Sequence, residues 1–457
     1  MIDWKAARVV VVGAGRQGQA TAVYAAGRGA QVVLNDARPQ AELVEAKQRL
    51  ANLPVEWHLG NHPLQLLDGA DVLFVSGGVP SDNPLVAEAR ARDLPISNDS
   101  QLFLELAPCR VVGITGSAGK TTTTMLVGRM LAAMQGRGVR RAWVGGNIGN
   151  PLLADMDQMQ AEDVAVMELS SFQLEWMTRS PSVAAILNLA PNHLDRHGTM
   201  ESYTAAKARI LDFQMPGDSA VLNREDAATW ALASQVRGQL WSFGHGELPF
   251  GQNGTCLRDG QVWLRTTQGE TAVLQVNQVQ LIGDHNLSNV LAACAIAAAA
   301  GADAEALRAG VQGFHGAPHR LEWVRSLNDA DWYNDSIATA PQRTEAALHS
   351  FIRPIVLLLG GRDKGLPWAD LARLAAQRSR HVVLFGEAAP MLESVFAAHA
   401  PQLPRIQAAD LAAAVHAAAA AAQPGDVVLL APGGTSFDEF VDFEARGERF
   451  RQLVKEL

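Results

Sequence analysis

Between Val111 and Leu131 the sequence reads VVGITGSAGKTTTTMLVGRML. An apolar strand breaks at Gly113, a turn carries Gly116, Ser117, Ala118, Gly119 and Lys120, and a helical pattern follows. The backbone amides of such a turn, with a helix N-terminus behind them, form a site for phosphate oxygens. The standard phosphate loop would place its first glycine at position 114, where this chain has Ile114. What stands is Gly116-x-x-Gly119-Lys120-Thr121-Thr122. Lys120 brings positive charge to a transferring phosphoryl group, and Thr121 offers a hydroxyl to Mg²⁺. The bland alternative is a glycine turn before a helix, and the strand–loop–helix order favours nucleotide binding over it. A second glycine turn, Gly13-Ala14-Gly15-Arg16-Gln17-Gly18, also follows a strand, and Asp36 ends the next one. That is the dinucleotide fingerprint in its context. It suits an NAD(P)-type nucleotide or the diphosphate of a UDP-sugar, and its bland alternative is a tight turn.

Three further positions carry chemistry. Glu168 closes the apolar strand VAVME, where a Mg²⁺ carboxylate fits; taken alone it reads as a solvated strand end. His193 and His197 are four apart, a helical metal spacing, but the H-E-x-x-H zinc pattern is absent. Lys207, in the helical stretch ESYTAAKARILDF, reads from its neighbours as a surface lysine.

These residues need several elements to position them. A chain of 457 residues is too long for one core, so two or three domains are expected. The composition, 48% hydrophobic and 19% charged, is that of a soluble globular enzyme. The formal net charge of −9 argues against nucleic-acid or membrane-surface binding. Cys109, Cys256 and Cys294 lie far apart, without metal spacing, and read as reduced thiols. Met1-Ile-Asp-Trp-Lys opens no apolar signal core, and the longest apolar run, Val290 to Ala302, is about 13 residues, too short to span a bilayer. It reads as a buried helix, and the chain as cytoplasmic. Apolar strands ending in Gly- or Pro-bearing turns recur in all three thirds of the chain: RVVVVGAG and DVLFVSGG, then VAVMELSS and VAAILNLAP, then PIVLLLGG, HVVLFGE and VVLLAPGG. Such a pattern predicts parallel sheets with ligand loops at strand C-termini. The expected fold is α/β with three domains: a Rossmann-like domain over 1–108, a central phosphate-loop ATPase-type parallel sheet over 109–314, and a Rossmann-like C-terminal domain over 315–457.

The variant phosphate loop is followed, in order, by GGNIGNP (145–151), MELSSFQLE (167–175), LNLAPNHLDRHGTMESYTAAKARI (187–210), GDHNLSNVLAA (283–293), PHRLE (318–322), YNDSIATAP (333–341), GGRDK (360–364) and PGGTSFDEFVDFEARGERF (432–450). Together these resemble the Mur ligases and their folylpolyglutamate synthase relatives, over nearly the whole chain. The resemblance implies an ATP- and Mg²⁺-dependent ligase that adds D-glutamate to UDP-N-acetylmuramoyl-L-alanine through an acyl phosphate, in peptidoglycan precursor synthesis. An L-glutamate-adding variant is the alternative; a folylpolyglutamate synthase-like ligase and an NAD(P) oxidoreductase are further ones. The partners implied are small molecules, and the chain is expected to be monomeric.

By the same resemblance, residues Gly116 to Thr122, Asn286, Asn289, Arg320 and Asp335 would bind ATP. Asn286 and Asn289 would face the adenine edge. Arg320 and Asp335 would grip phosphates and ribose from the third domain, with domain closure completing the site. Gly15, Arg16, Gln17, Asp36, Arg38, Ser76 and Asn147 would hold the UDP substrate. Thr339, Lys364, Ser436 and Phe440 would hold glutamate. Lys120, Glu168, His193 and Lys207 form the implied catalytic set. Thr121, Glu168, His193 and Lys207 would serve two Mg²⁺ sites, Lys207 after carbamylation by CO₂, which a lysine held near neutrality by burial can undergo. One stretch departs from the pattern. D-glutamate-adding members read Asp-Ser-Lys-Ala-Thr-Asn where this chain has Asp335-Ser336-Ile337-Ala338-Thr339-Ala340. Arg343 and Arg362 are the candidates for the missing charge.

Overall fold

The computed structural model describes residues 2–80, 82–281 and 283–457. Three sheets order the chain. The first has five parallel strands in the order Val55–Leu59, Gln31–Asp36, Arg8–Val12, Val72–Val75, Ile96–Ser97. Strand Arg8–Val12 is RVVVV with all four valines buried, as a parallel strand covered on both faces requires. It lies between the strands that lead to Asp36 and to Ser76, so its C-terminal end is a topological switch point. The helix Arg16–Gly27 starts from the glycine turn. Gly18 allows this approach: a Cβ there would stand 1.8 Å from the Gly13 carbonyl oxygen.

The second sheet has nine strands. Seven of them, from Ala142–Gly146 to Asn253–Arg258, pair in parallel. The remaining two, Gln261–Thr266 and Gly269–Gln275, continue the sheet antiparallel. The sequence reading expected a parallel sheet; residues 253–275 instead form a ribbon on its edge. An Asp259-Gly260 turn with φ of 51° and 69° reverses the chain there, the hairpin chemistry that favours antiparallel pairing. The third sheet runs Glu322–Leu327, Ala330–Asn334, Val427–Gly433, Ile355–Gly360, Ser379–Phe385, Arg405–Ala408, parallel except for its first pair.

The chain forms two compact units, residues up to 280 with 284–314, and residues 281–283 with 315–457. The first two sheets share a unit because one hydrophobic core runs through both, from Val9, Leu34 and Phe74 to Met167, Ala184 and Ile186. The Asn98 amide also donates to the Gln173 carbonyl at 2.7 Å, across the two sheets. The C-terminal unit has a core on each face of its sheet: Leu357, Leu384 and Leu429 on one, Val356, Val383 and Val428 on the other. The predicted buried helix is present as Asp284–Ala299 and packs on the phosphate-loop helix Lys120–Ala132. Among the described residues no helix is long and apolar enough to cross a membrane.

Candidate active site

A cavity of about 700 Å³ lies at the C-terminal ends of the first sheet and reaches the phosphate loop of the second. Gly15, Arg16, Gln17, Asp36, Arg38 and Ser76 line it from one side, and Lys120, Asn147, His193 and Lys207 from the other. Most of the first group is engaged in bracing the glycine turn. The Ala14 amide donates to Asp36 Oδ2 at 2.7 Å, while Arg38 donates to Asp36 through its amide at 2.9 Å and its guanidinium at 2.8 and 3.0 Å. Burial alone would raise the Asp36 pKa, but these donors hold it below the ordinary carboxylate value. Ser76 Oγ donates to the Gly13 carbonyl at 2.8 Å, and Gln17 Oε1 accepts from the Gly77 amide at 2.9 Å. The turn is therefore held open before any ligand arrives.

In the phosphate loop, Gly119 has φ of 81° and lies against Asn289, whose Oδ1 would be 2.2 Å from a Cβ at that position. Asn289 in turn donates to Asn286 Oδ1 at 3.0 Å. Lys120 Nζ folds back over the loop onto the carbonyls of Gly116 and Ser117, at 2.9 and 3.3 Å. Glu168 is 2% exposed, so the solvated strand-end reading fails. Its Oε2 accepts from Thr121 Oγ1 and its Oε1 from Asn147 Nδ2, both at 2.8 Å. A carboxylate and a hydroxyl one hydrogen bond apart beside a phosphate loop suit Mg²⁺, whose remaining positions phosphate and water would fill. Among the described residues no three His, Cys, Asp or Glu side chains gather as a metal site, so the candidate set is a mixed one.

Lys207 is also 2% exposed, which overturns its surface reading. Helix Met200–Asp212 buries Tyr203, Lys207, Ile210 and Leu211 together, and the ammonium donates to Thr115 Oγ1 at 3.1 Å and the Gly116 carbonyl at 3.0 Å. Burial, with Lys120 nearby, pushes its pKa down to about 7, against a smaller opposing pull from Glu168. His193 sits at φ 52° and lines the cavity; burial lowers its pKa, and the Lys120 and Lys207 charges add to that against Asp195. His197 stacks parallel on Phe172 and meets Ser171 Oγ at 2.9 Å. The i, i+4 pair thus divides, with His193 at the cavity and His197 in packing.

The sequence reading missed three residues here. Tyr203 OH meets Ser117 Oγ at 2.9 Å and lines the cavity. Its signal was available, since it lies one turn before Lys207 on the same helix face. Asn188 Oδ1 accepts from the Ala118 amide at 2.8 Å and shapes the phosphate loop. Arg196 lies 3.9 Å over the Phe172 ring and donates to the Val79 carbonyl at 2.7 Å, tying the His193 loop to the first sheet.

In the C-terminal unit, Lys364 Nζ donates to Thr339 Oγ1 at 3.3 Å, which brings two of the predicted glutamate residues together. Ser436 is buried, and its carbonyl accepts from the Phe440 amide at 2.7 Å; the Phe440 ring packs on the core. Asp335 is buried, accepts from the Leu321 amide at 3.0 Å, and is pushed up to about 6 by desolvation. Arg320 stands between His319 and Leu321, both with left-handed φ of 62° and 42°. A leucine in that region is strained, a feature that concentrates at ligand loops. Arg446 is buried at about pKa 10, lowered by desolvation, and donates to the carbonyls of Ser336, Gly434 and Thr435 at 2.9 to 3.2 Å. It joins the Asp335 and Ser436 loops, and nothing in its spacing announced this.

Three family models match the chain: a Mur ligase MurD-like N-terminal domain over 7–98, the Mur ligase middle domain over 114–297, and a Mur ligase glutamate ligase domain over 319–434. The UDP-N-acetylmuramoylalanine–D-glutamate ligase of Symbiobacterium thermophilum is 41% identical over 450 residues, 98% of each chain. The chain belongs to the Mur ligase family. The identically named protein of Koribacter versatilis is 38% identical over 458 residues, covering 100% of this Mur ligase and 99% of its relative. Among solved structures, the UDP-N-acetylmuramate–alanine ligase MurC of Thermotoga maritima matches with a TM-score of 0.57 at 18% identity, over 98% of this chain and 99% of its own. MurF of Acinetobacter baumannii matches at 0.55 and 22% identity, over 85% and 87%. These two establish the shared three-domain α/β fold. Mur ligases use ATP and Mg²⁺ and act on small molecules.

Proposed function

We propose that this Mur ligase joins D-glutamate to UDP-N-acetylmuramoyl-L-alanine with conversion of ATP to ADP and phosphate, as a cytoplasmic step of peptidoglycan precursor synthesis. The observation that carries the reading is the single cavity shared by the Gly13–Gly18 turn, Arg38 and Ser76 on one side and Lys120, His193 and Lys207 on the other. A uridine diphosphate held on the first sheet would direct its attached acyl chain to the phosphate loop. The substrate carboxylate attacks the γ-phosphorus, the bond to ADP breaks, and an acyl phosphate forms. The glutamate amine then attacks the acyl carbon, phosphate leaves, and the amine loses a proton.

In this reading the loop amides and Lys120 hold the ATP phosphates and offset the charge that develops between two anions. Thr121, Glu168 and His193 would hold Mg²⁺, which when bound would supply positive charge to the phosphoryl oxygens. Lys207 has the environment a carbamylating lysine needs: a buried amine with a pKa of about 7 has a neutral fraction that reacts with CO₂. The resulting carbamate would add a second anionic ligand for a second Mg²⁺. Asn289, packed on Gly119, and Asn286 would meet adenine; Arg320 and Asp335 would complete ATP binding from a domain beginning near residue 315. Thr339, Lys364, Ser436 and Phe440 would bind glutamate.

The test is phosphate release from Mg²⁺-ATP and UDP-N-acetylmuramoyl-L-alanine, with D- or L-glutamate supplied in parallel. Release with the D form alone is expected. Ile337 and Ala340, at odds with the D-glutamate pattern, favour one second reading, in which release follows L-glutamate alone. Folded protein that releases phosphate with neither would end the ligase assignment.

A further inference from the structure

Four cations surround the loop 335–340 of the C-terminal unit. Arg446 donates to the Ser336 carbonyl at 2.9 Å, Arg343 Nη1 to the Ile337 carbonyl at 3.2 Å, and Lys364 to Thr339 Oγ1 at 3.3 Å. Arg320 and Arg343 both act electrostatically on Asp335, and Arg343 and Arg446 on Lys364. Among the described residues none of the four forms a close ion pair with a carboxylate. Elsewhere in the unit such pairs are made, Arg362 with Glu387 at 2.8 Å and Arg380 with Asp426 at 2.9 Å. Asp335, buried against the Leu321 amide, acts on Arg320 and Arg343, while Asp438 and Glu439 act on the enclosed Arg446. Like charges gathered without close ion pairs repel one another in the free protein, and a bound anion offsets that repulsion.

The cations differ in what they can reach. Arg446 is enclosed and satisfied by carbonyls, so it positions the loops. Arg362 pairs instead with Glu387 at 2.8 Å, which leaves Arg343 as the better substitute for the charge absent at Ile337. Arg343 is exposed and stands in the first turn of helix Pro341–His349, whose N-cap, Ala340, supplies no side-chain acceptor. The helix N-terminus therefore adds its own partial positive charge beside the guanidinium. Glutamate carries two carboxylates, and Lys364 accounts for one.

We infer that Arg343 binds the second carboxylate of the incoming amino acid, in place of the cation missing at position 337. The inference rests on the glutamate-adding reading above. A planar fork at this position grips a carboxylate in two places and so fixes its orientation as well as its charge.

The experiment is steady-state kinetics of the full chain with all three substrates, for the wild type, Arg343→Met, Arg343→Lys and Ile337→Lys/Arg343→Met. Arg343→Met is expected to raise the glutamate KM by about 30-fold, with the ATP KM changed less than about threefold. Adding Ile337→Lys should recover about tenfold of that loss, a rescue that a merely structural role would not give. If Arg343→Met lowers the melting temperature, Arg343→Lys tests the same point, with a smaller rise confined to glutamate. An increase in the ATP KM with glutamate unaffected would assign Arg343 to phosphate and overturn the inference, as would unchanged constants throughout. A wild-type protein inactive with either glutamate would instead overturn the functional reading.

Discussion

At the cavity of the N-terminal unit, charges have partners before any ligand binds. Asp36 is matched by Arg38, Glu168 by Thr121 and Asn147, and Lys120 by two carbonyls. In the C-terminal unit, Arg320 and Arg343 share one buried carboxylate, Asp335, while the charges acting on Lys364 are those of Arg343 and Arg446. The first arrangement holds geometry and loses little by waiting for substrate. The second stores unbalanced charge that an anion relieves. A reaction that brings several anions together needs both, one to align the phosphoryl transfer and one to recruit the acidic acceptor.

The sharpest way to break this comparison is at Glu168. Glu168→Gln keeps shape and most hydrogen bonding but removes the charge, and phosphate release should fall about 1000-fold. A large drop in melting temperature instead would make Glu168 a structural residue. Lys207→Met should lower the rate by about 100-fold and lack the ¹³C carbamate resonance expected of the wild type supplied with ¹³C-bicarbonate. The sign with pH is fixed by the depressed pKa of about 7. Below it the ammonium dominates and cannot react with CO₂, so the resonance should fade as pH drops from 8 to 6.

Gly119→Ala tests the preformed loop. It combines φ of 81° with a 2.2 Å clash on Asn289, and should raise the ATP KM about tenfold. Gly15→Ala, with no atom within 4 Å of the added Cβ, should fold as the wild type does. The smallest effect belongs to Asp335. Its folded pKa of about 6 lies above the ordinary 3.8, so the folded state binds that proton more tightly. The cost of its buried charge is absent below 3.8 and complete above about 6, so stability falls as pH rises through that window. Asp335→Asn should therefore raise the melting temperature at pH 8 by about 3 °C and leave it nearly unchanged at pH 3.5, by differential scanning calorimetry. An equal rise at both would show that desolvated charge is not the cause.

Local rules made much of this legible. Strand Arg8–Val12 appears at its expected residues, Glu168 at its strand end and the alanine-rich helix where the apolar run stands. Each follows from side-chain period, glycine turns and helix propensity over a few neighbouring residues. The antiparallel ribbon at 253–275 was missed because alternation within a strand does not say which way its neighbour runs. His193 and His197 were inseparable by spacing, and both rings meet Phe172; the cavity that His193 lines and the Ser171 hydroxyl that His197 meets, each built from other elements, tell them apart.

By itself the sequence determined where two tight glycine turns would form, since only glycine tolerates the Gly18 approach and the Gly119 dihedral. It determined the three α/β stretches and the order of the motifs. Tertiary structure decided that the first two sheets share one core and one cavity, that Lys207 turns inward beside Tyr203, and that Arg362 pairs with Glu387 while Arg343 donates to the Ile337 carbonyl. The physical reason is that desolvation and ion pairing depend on atoms brought together from distant positions. Gly116 and Lys207 are 91 residues apart in sequence and 3.0 Å apart in space.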